Sequence, residues 1–159
     1  EVAGPGGRRR LPLLELYDAG GDGIRRLAIA PGEIVVAVHL PENARGRRSS
    51  YQKLRVRPAF DFPELGLAAS ATLDGEVVES LRIAAGGLET YPRAFDDLTR
   101  ALEGERLTDE RIRTLGESIA KAVRPVHNTF LPPDYRRKMT AVFVRRALDR
   151  LRRTSGAAG

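Results

Sequence analysis

The stretch ATLDGEVVES, Ala71 to Ser80, decides the fold. Asp74-Gly75 stands between two runs rich in β-formers, and Asp-Gly readily takes the positive φ that tight hairpin turns need. Working outward, LGLAASATLDG and EVVESLRIAAGGL read as two antiparallel strands joined there. Upstream, RRLAIAP, EIVVAVHLP and SSYQKLRVR also read as strands, divided by the turn sequences PGE and PENARGRRSS. Downstream the period changes to helical.

A first helix is expected from Pro92, with Phe95, Leu98 and Leu102 on one face and Gly104 as its C′ residue. A second starts at Thr108 as N-cap, with Asp109 and Glu110 near the positive end of its dipole. Its buried stripe is Ile112, Leu115, Ile119 and Val123, and Pro125 ends it. A third runs from about Pro133 to Arg153, with Tyr135, Met139, Val142, Phe143, Ala147 and Leu151 near one face. Three amphipathic helices must cover an apolar surface, and the antiparallel strands before them are the nearest one. The expected class is therefore α+β, an antiparallel sheet packed on three helices.

Composition bounds the function. The chain has 159 residues, 42% of them apolar, enough for an ordinary core. No run of eighteen apolar residues marks a membrane span, and the chain reads as soluble and cytoplasmic. It has no cysteine, which excludes disulfides, thiolate zinc sites and an iron–sulfur cluster held by these residues. The net charge is +6, but the arginines are scattered beside acids (DERIR, RRALDRLRR) instead of forming one basic tract.

Self-contained catalytic motifs are missing. His39 and His127 are the two histidines, and neither has companions at metal-ligand spacing; His39 reads as a surface or satisfied strand residue. Gly86 and Gly87 follow a strand but lack the spacing of a phosphate loop, so close packing at a strand end explains them.

The stretch YQKLRVRPAFDFP, Tyr51 to Pro63, is more informative. At strand period Tyr51, Lys53, Arg55 and Arg57 share one face. In EIVVAVHLP, Glu33, Val35, Ala37 and His39 share one face and Ile34, Val36, Val38 and Leu40 the other. Two such strands offer an apolar side chain and a fixed cation to a flat, electron-rich ligand. A flavin suits that pairing, because a nearby ammonium stabilises charge that develops on its ring. The residues leave two alternatives open: a basic nucleic-acid module using Tyr51, Arg55 and Arg57, and a purely structural subunit-docking domain.

The ordered blocks PGEIVVAVHLP (31–41), YQKLRVRPAFDFP (51–63), ESLRIAAGGLETYPRAFDDLTRALEGERLTDERI (79–112) and DYRRKMTAVFVRRAL (134–148) closely resemble the FAD-binding (medium) flavoprotein subunit of molybdenum hydroxylases, the xanthine and carbon monoxide dehydrogenase group. The resemblance is strongest to the 4-hydroxybenzoyl-CoA reductase type, through YDAGGDGIRRL and YQKLRVRPAFDFP. It implies that residues 1–48 are the last strands of an FAD-binding domain and 49–155 the flavoprotein C-terminal domain. It implies FAD contacts at Val35 and Lys53, with Lys53 tuning the potential and the loop of Arg57 and Asp61 near the ring. It further implies a molybdopterin-binding large subunit and an iron–sulfur small subunit carrying [2Fe-2S] as partners, with no nucleic acid. The glycine-rich loops that grip the FAD pyrophosphate in the family do not occur here. The chain is therefore expected to be the C-terminal part of such a subunit, oxidoreductase in class but not active alone.

Overall fold

A computed structural model describes residues 1–18, 20, 24–58, 60–127 and 130–153. Most of the glycine-rich turn in YDAGGDGIRRL, two residues of RPVHNTF and the expected domain end at 155 lie outside the described residues. The chain divides into two compact units, Glu1–Arg45 and Gly46–Gly159.

In the first unit, β1 (Val2–Gly4) pairs antiparallel with β2 (Gly7–Arg9) on one side and β3 (Ile34–Val35) on the other. The expected strand through EIVVAVHLP is thus only two residues long. The ladder with β1 ends at Val2↔Val35; beyond it the Glu1 carbonyl accepts from the Val36 amide at 3.0 Å and the Glu1 amine donates to the Ala37 carbonyl at 2.9 Å, without extending the strand. The expected apolar face, Ile34, Val36, Val38 and Leu40, is exposed. RRLAIAP contributes a single bridge, Leu27 to Tyr17.

What holds the unit's PGE turn is ionic. Arg9 grips Glu33 through two parallel bonds of 2.9 Å, and the Ala30 amide donates to the same carboxylate at 2.8 Å. The guanidinium, ahead of the amide, pulls the Glu33 pKa down to about 2.

The second unit is a four-stranded antiparallel sheet in the order β4-β5-β6-β7, formed by β4 (Arg48–Leu54), β5 (Leu65–Asp74), β6 (Val77–Gly86) and β7 (Arg93–Ala94). The β5–β6 hairpin forms as expected, but Asp74 pairs with Val77, so the two connecting residues are Gly75 and Glu76. Gly75, at φ +57°, takes the first of them, where only glycine is free of strain. A bulge follows: Thr72 faces Ser80 while Leu73 faces Val78, leaving Glu79 as the extra residue. That extra residue resets the alternation, so Val78 joins Leu81, Ile83 and Ala85 on the buried face opposite Leu65, Leu67, Ala69 and Ala71.

Three helices cover that face. The first differs from expectation: α1 is only Asp96–Arg100, because Arg93 and Ala94 are recruited to the sheet edge against Ala85 and Ala84. Arg93 is held there by the Ala122 carbonyl at 2.8 Å and lies over the Phe95 ring. The second, α2 (Asp109–Ala122), is capped as expected by Thr108, whose hydroxyl accepts from the Arg111 amide. Its stripe Ile112, Leu115, Ile119 and Val123 is buried.

The third, α3 (Pro133–Arg153), buries Arg136, Thr140, Phe143, Val144, Ala147, Leu148 and Leu151. Tyr135, expected on that face, is 44% exposed. Gly116 lets α2 and α3 touch: a Cβ there would lie 3.1 Å from the Ala141 carbonyl oxygen. On the other side, Gln52 and Arg48 of β4 donate to the Phe143 and Leu151 carbonyls of α3.

Arg136 is the one fully buried charged side chain described. Its guanidinium donates to the Gly87 carbonyl at 2.9 Å, to the Glu64 carbonyl at 3.5 Å and to the Val126 carbonyl. It therefore ties the start of β5 and the end of β6 to the chain between α2 and α3. Burial pushes its pKa down, opposed by the Glu64 charge.

Candidate functional site

Within the second unit, no described element packs on the face of the sheet opposite the helices. On β4 the alternation holds: Ser49, Tyr51 and Lys53 are exposed, while Ser50, Gln52 and Leu54 turn inward. Across the strands Lys53 faces Gly66, which faces Gly86, and Tyr51 faces Ala68, which faces Ala84. The floor beside Lys53 and Tyr51 is thus made of glycine and alanine. Tyr51 leans across this floor, and a Cβ on Gly66 would lie 2.7 Å from its hydroxyl oxygen. Glycine at 66 is what lets the ring lie toward Lys53. The Lys53 ammonium forms no ion pair with any described carboxylate, so its charge is uncompensated among the described residues. Aromatic ring, ammonium and flat floor together suit a planar ligand that carries or gains negative charge.

The expected row of cations stops at Lys53. The strand ends at Leu54, where the Glu64 amide returns to the Leu54 carbonyl at 2.8 Å. Arg57 lies beyond it in a clasp with Asp61: guanidinium to carboxylate at 2.9 Å and Arg57 amide to carboxylate at 2.9 Å, with the Phe62 amide adding 3.0 Å. The Arg57 guanidinium holds the Asp61 carboxyl far below the usual carboxylate range. Arg57 is thereby neutralised, and Phe60 and Phe62 project from the clasped loop, 90% and 79% exposed. No continuous basic strand for a nucleic-acid backbone forms.

Val35, the other expected contact, belongs to the first unit and Lys53 to the second; each is placed within its own unit. Val35 is 38% exposed and borders a cavity of about 160 Å³ with Val2, Leu11, Leu13, Leu16 and Ala37. His39 lies at the surface beside Glu1, 3.0 Å from its carboxylate. Gly87 has φ +77°, and a Cβ there would lie 2.8 Å from the Pro63 carbonyl oxygen, so close packing accounts for it. Among the described residues no three His, Cys, Asp or Glu side chains gather as a metal site, and no helix is long and apolar enough to cross a membrane. Two features escaped sequence reasoning: the small floor, visible only once the register is known, and Arg136, written in the sequence as one more surface arginine.

An antiparallel sheet on three helices, with a lysine and a tyrosine on its edge strand, defines an α+β module. The sequence profile of the CO dehydrogenase flavoprotein C-terminal domain matches residues 49–151, more than half the chain, and the chain belongs to that family. It is 28% identical over 151 residues to the carbon monoxide dehydrogenase medium chain of Afipia carboxidovorans, covering 94% of this chain and 50% of that one. To the glyceraldehyde dehydrogenase medium chain of Sulfolobus acidocaldarius it is 24% identical over 116 residues, covering 73% and 41%. Among solved structures, reconstituted CO dehydrogenase from Oligotropha carboxidovorans superposes with a TM-score of 0.78 at 26% identity, covering 95% of this chain and 51% of that one. CO dehydrogenase from Hydrogenophaga pseudoflava gives 0.82 at 24% identity over 93% and 50%, which shows the shared fold. The chain spans about half the length of the curated relatives it matches.

Proposed function

We propose that this chain supplies the ring-facing part of the FAD-binding subunit of a molybdenum-containing oxidoreductase. In that reading residues 1–48 complete an FAD-binding domain and 49–155 form the C-terminal domain. The single observation that carries it is Lys53, set with Tyr51 on an uncovered floor of small residues inside the segment that matches the flavoprotein family. These residues fit the ring end of FAD. They do not fit its phosphates by the usual device, since α2 opens on Thr108-Asp109-Glu110 and α3 on Pro133-Asp134, and acids at a helix start repel phosphate.

Bound FAD supplies the redox-active ring that exchanges electrons between iron–sulfur clusters and an external acceptor. The chain's own residues bind and bias it. Tyr51 offers an aromatic wall, Val35 an apolar contact, and Lys53 a compact fixed charge that favours the more negative, reduced form of the ring. The partners in this reading are a molybdopterin-binding large subunit and an iron–sulfur small subunit holding [2Fe-2S], in the cytoplasm.

Lys53→Met in the FAD-loaded subunit lowers the flavin midpoint potential, by roughly 40 mV per electron for a charge worth ~1 kcal/mol. An unchanged potential with FAD still bound rejects the role of Lys53. The 159-residue chain by itself is expected to lose FAD on desalting, for want of the glycine-rich loops that hold the pyrophosphate in the family. Flavin absorbance that survives desalting contradicts that expectation.

A further inference from the structure

At the end of that sheet face away from Lys53, two arginines flank one serine: Arg47 bonds to Ser70, and Arg82 stands across from it on the neighbouring strand. Arg47, just before β4, donates from Nε to the Ser70 hydroxyl at 3.4 Å, from one terminal nitrogen to the Ser80 hydroxyl at 3.1 Å and from the other to the Ser70 carbonyl at 3.3 Å. Arg82 is the cross-strand partner of Ser70 on β6, and directly opposed residues of an antiparallel pair point to the same face. Ser49, on the far side, is the other cross-strand partner of Ser70. One patch therefore gathers Arg47, Arg82 and the hydroxyls of Ser49, Ser70 and Ser80.

The charge balance of this patch differs from that of the arginines held in ion pairs. Arg9, Arg57, Arg106 and Arg152 each meet a carboxylate. Arg47 meets neutral oxygens, and neither it nor Arg82 forms an ion pair with any described acid; Glu79, the bulge residue nearest in sequence, pairs with neither. Arg47 is half-buried and held by three bonds, so its fork is fixed in place, and of its five N–H donors two remain to be used. Two uncompensated like charges on one sheet face repel, and an oxyanion between them reverses the sign of that interaction. Paired guanidinium forks with adjacent hydroxyls match the geometry of a phosphate group.

We propose that Arg47, Arg82 and the serines around Ser70 form a binding site for the phosphate of a small phosphorylated ligand, on the same sheet face as Lys53. The site does not depend on the flavin reading.

The test is a titration of the 159-residue chain with inorganic pyrophosphate, followed by amide and arginine side-chain NMR at constant ionic strength. Saturable shifts at Ser49, Ser70, Ser80 and Arg82 are expected, with a dissociation constant on the order of 1 mM or tighter. Arg82→Gln and Arg47→Gln each weaken binding about tenfold, the worth of one charge-assisted contact. Arg145→Gln, an exposed arginine of α3 outside the patch, leaves it unchanged. Circular dichroism confirms that each variant folds. The proposal is overturned if pyrophosphate produces no saturable shift at these residues, if chloride produces the same shifts, or if folded Arg82→Gln and Arg47→Gln bind as the parent does.

Discussion

Replacing Arg136 by methionine tests whether one buried cation braces the sheet. The side chain is fully buried and its guanidinium serves three backbone carbonyls, of Glu64, Gly87 and Val126. Methionine fills comparable space and removes a desolvated charge, which alone favours the variant. Against this, the carbonyls of Gly87 and Val126 lose their donors at partly buried positions, at ~1–2 kcal/mol each, while the 3.5 Å contact to Glu64 contributes little. Because the abandoned partners are neutral carbonyls, the loss stays below that of a broken buried ion pair, and the net is a destabilisation of about 2–4 kcal/mol. Urea denaturation followed by far-ultraviolet circular dichroism reads this directly. At a slope near 2 kcal/mol per molar urea the midpoint falls by about 1–2 M. Arg136→Lys falls between, since one ammonium cannot span carbonyls on separate segments. A midpoint shift of Arg136→Met below about 0.3 M at unchanged slope refutes the bracing role.

Other expectations follow from single positions. Gly87→Ala places a Cβ 2.8 Å from the Pro63 carbonyl oxygen at φ +77° and should cost more than ~2 kcal/mol by thermal or urea unfolding; a near-neutral result contradicts it. Gly66→Ala meets only the movable end of Tyr51, so stability should fall by less than ~1 kcal/mol while the Tyr51 ring resonances shift; unmoved resonances would show that the ring does not rest there. Glu33, lowered from 4.5 to about 2 by Arg9, stabilises the first unit fully above its ordinary value, and the contribution disappears as pH falls from 4.5 toward 2. Carboxyl NMR of Glu33 should titrate near 2, and a midpoint near 4 dismisses the clasp.

The fold was largely legible where local chemistry is strong. The Asp74-Gly75 hairpin, the Thr108 cap and the stripe of α2 follow from turn propensity and helical period, and the structure moves the hairpin turn by one residue. α1 was misread because Pro92, Phe95, Leu98 and Leu102 satisfy a helical period while Arg93 and Ala94 gain more by pairing with β6 and by the Arg93 bond to Ala122. The EIVVAVHLP strand was misread because β-propensity does not supply a partner strand, and β1 gives it two residues. Of the candidate site, Lys53 and Tyr51 were visible as alternate residues on one strand. Arg57 was wrongly placed in their row, because its pairing with Asp61 needs the chain to leave the strand at Leu54.

By itself the sequence determined the layer type, the order of strands before helices, the absence of thiolate chemistry and the lysine strand, since each depends on composition, alternation or period within one segment. Only the tertiary structure decided which strands neighbour one another, and with that the glycine and alanine floor beside Lys53, the placing of Arg47 and Arg82 on either side of Ser70, and the burial of Arg136. Those features join residues tens of positions apart through register and packing, and no local propensity encodes a register across strands.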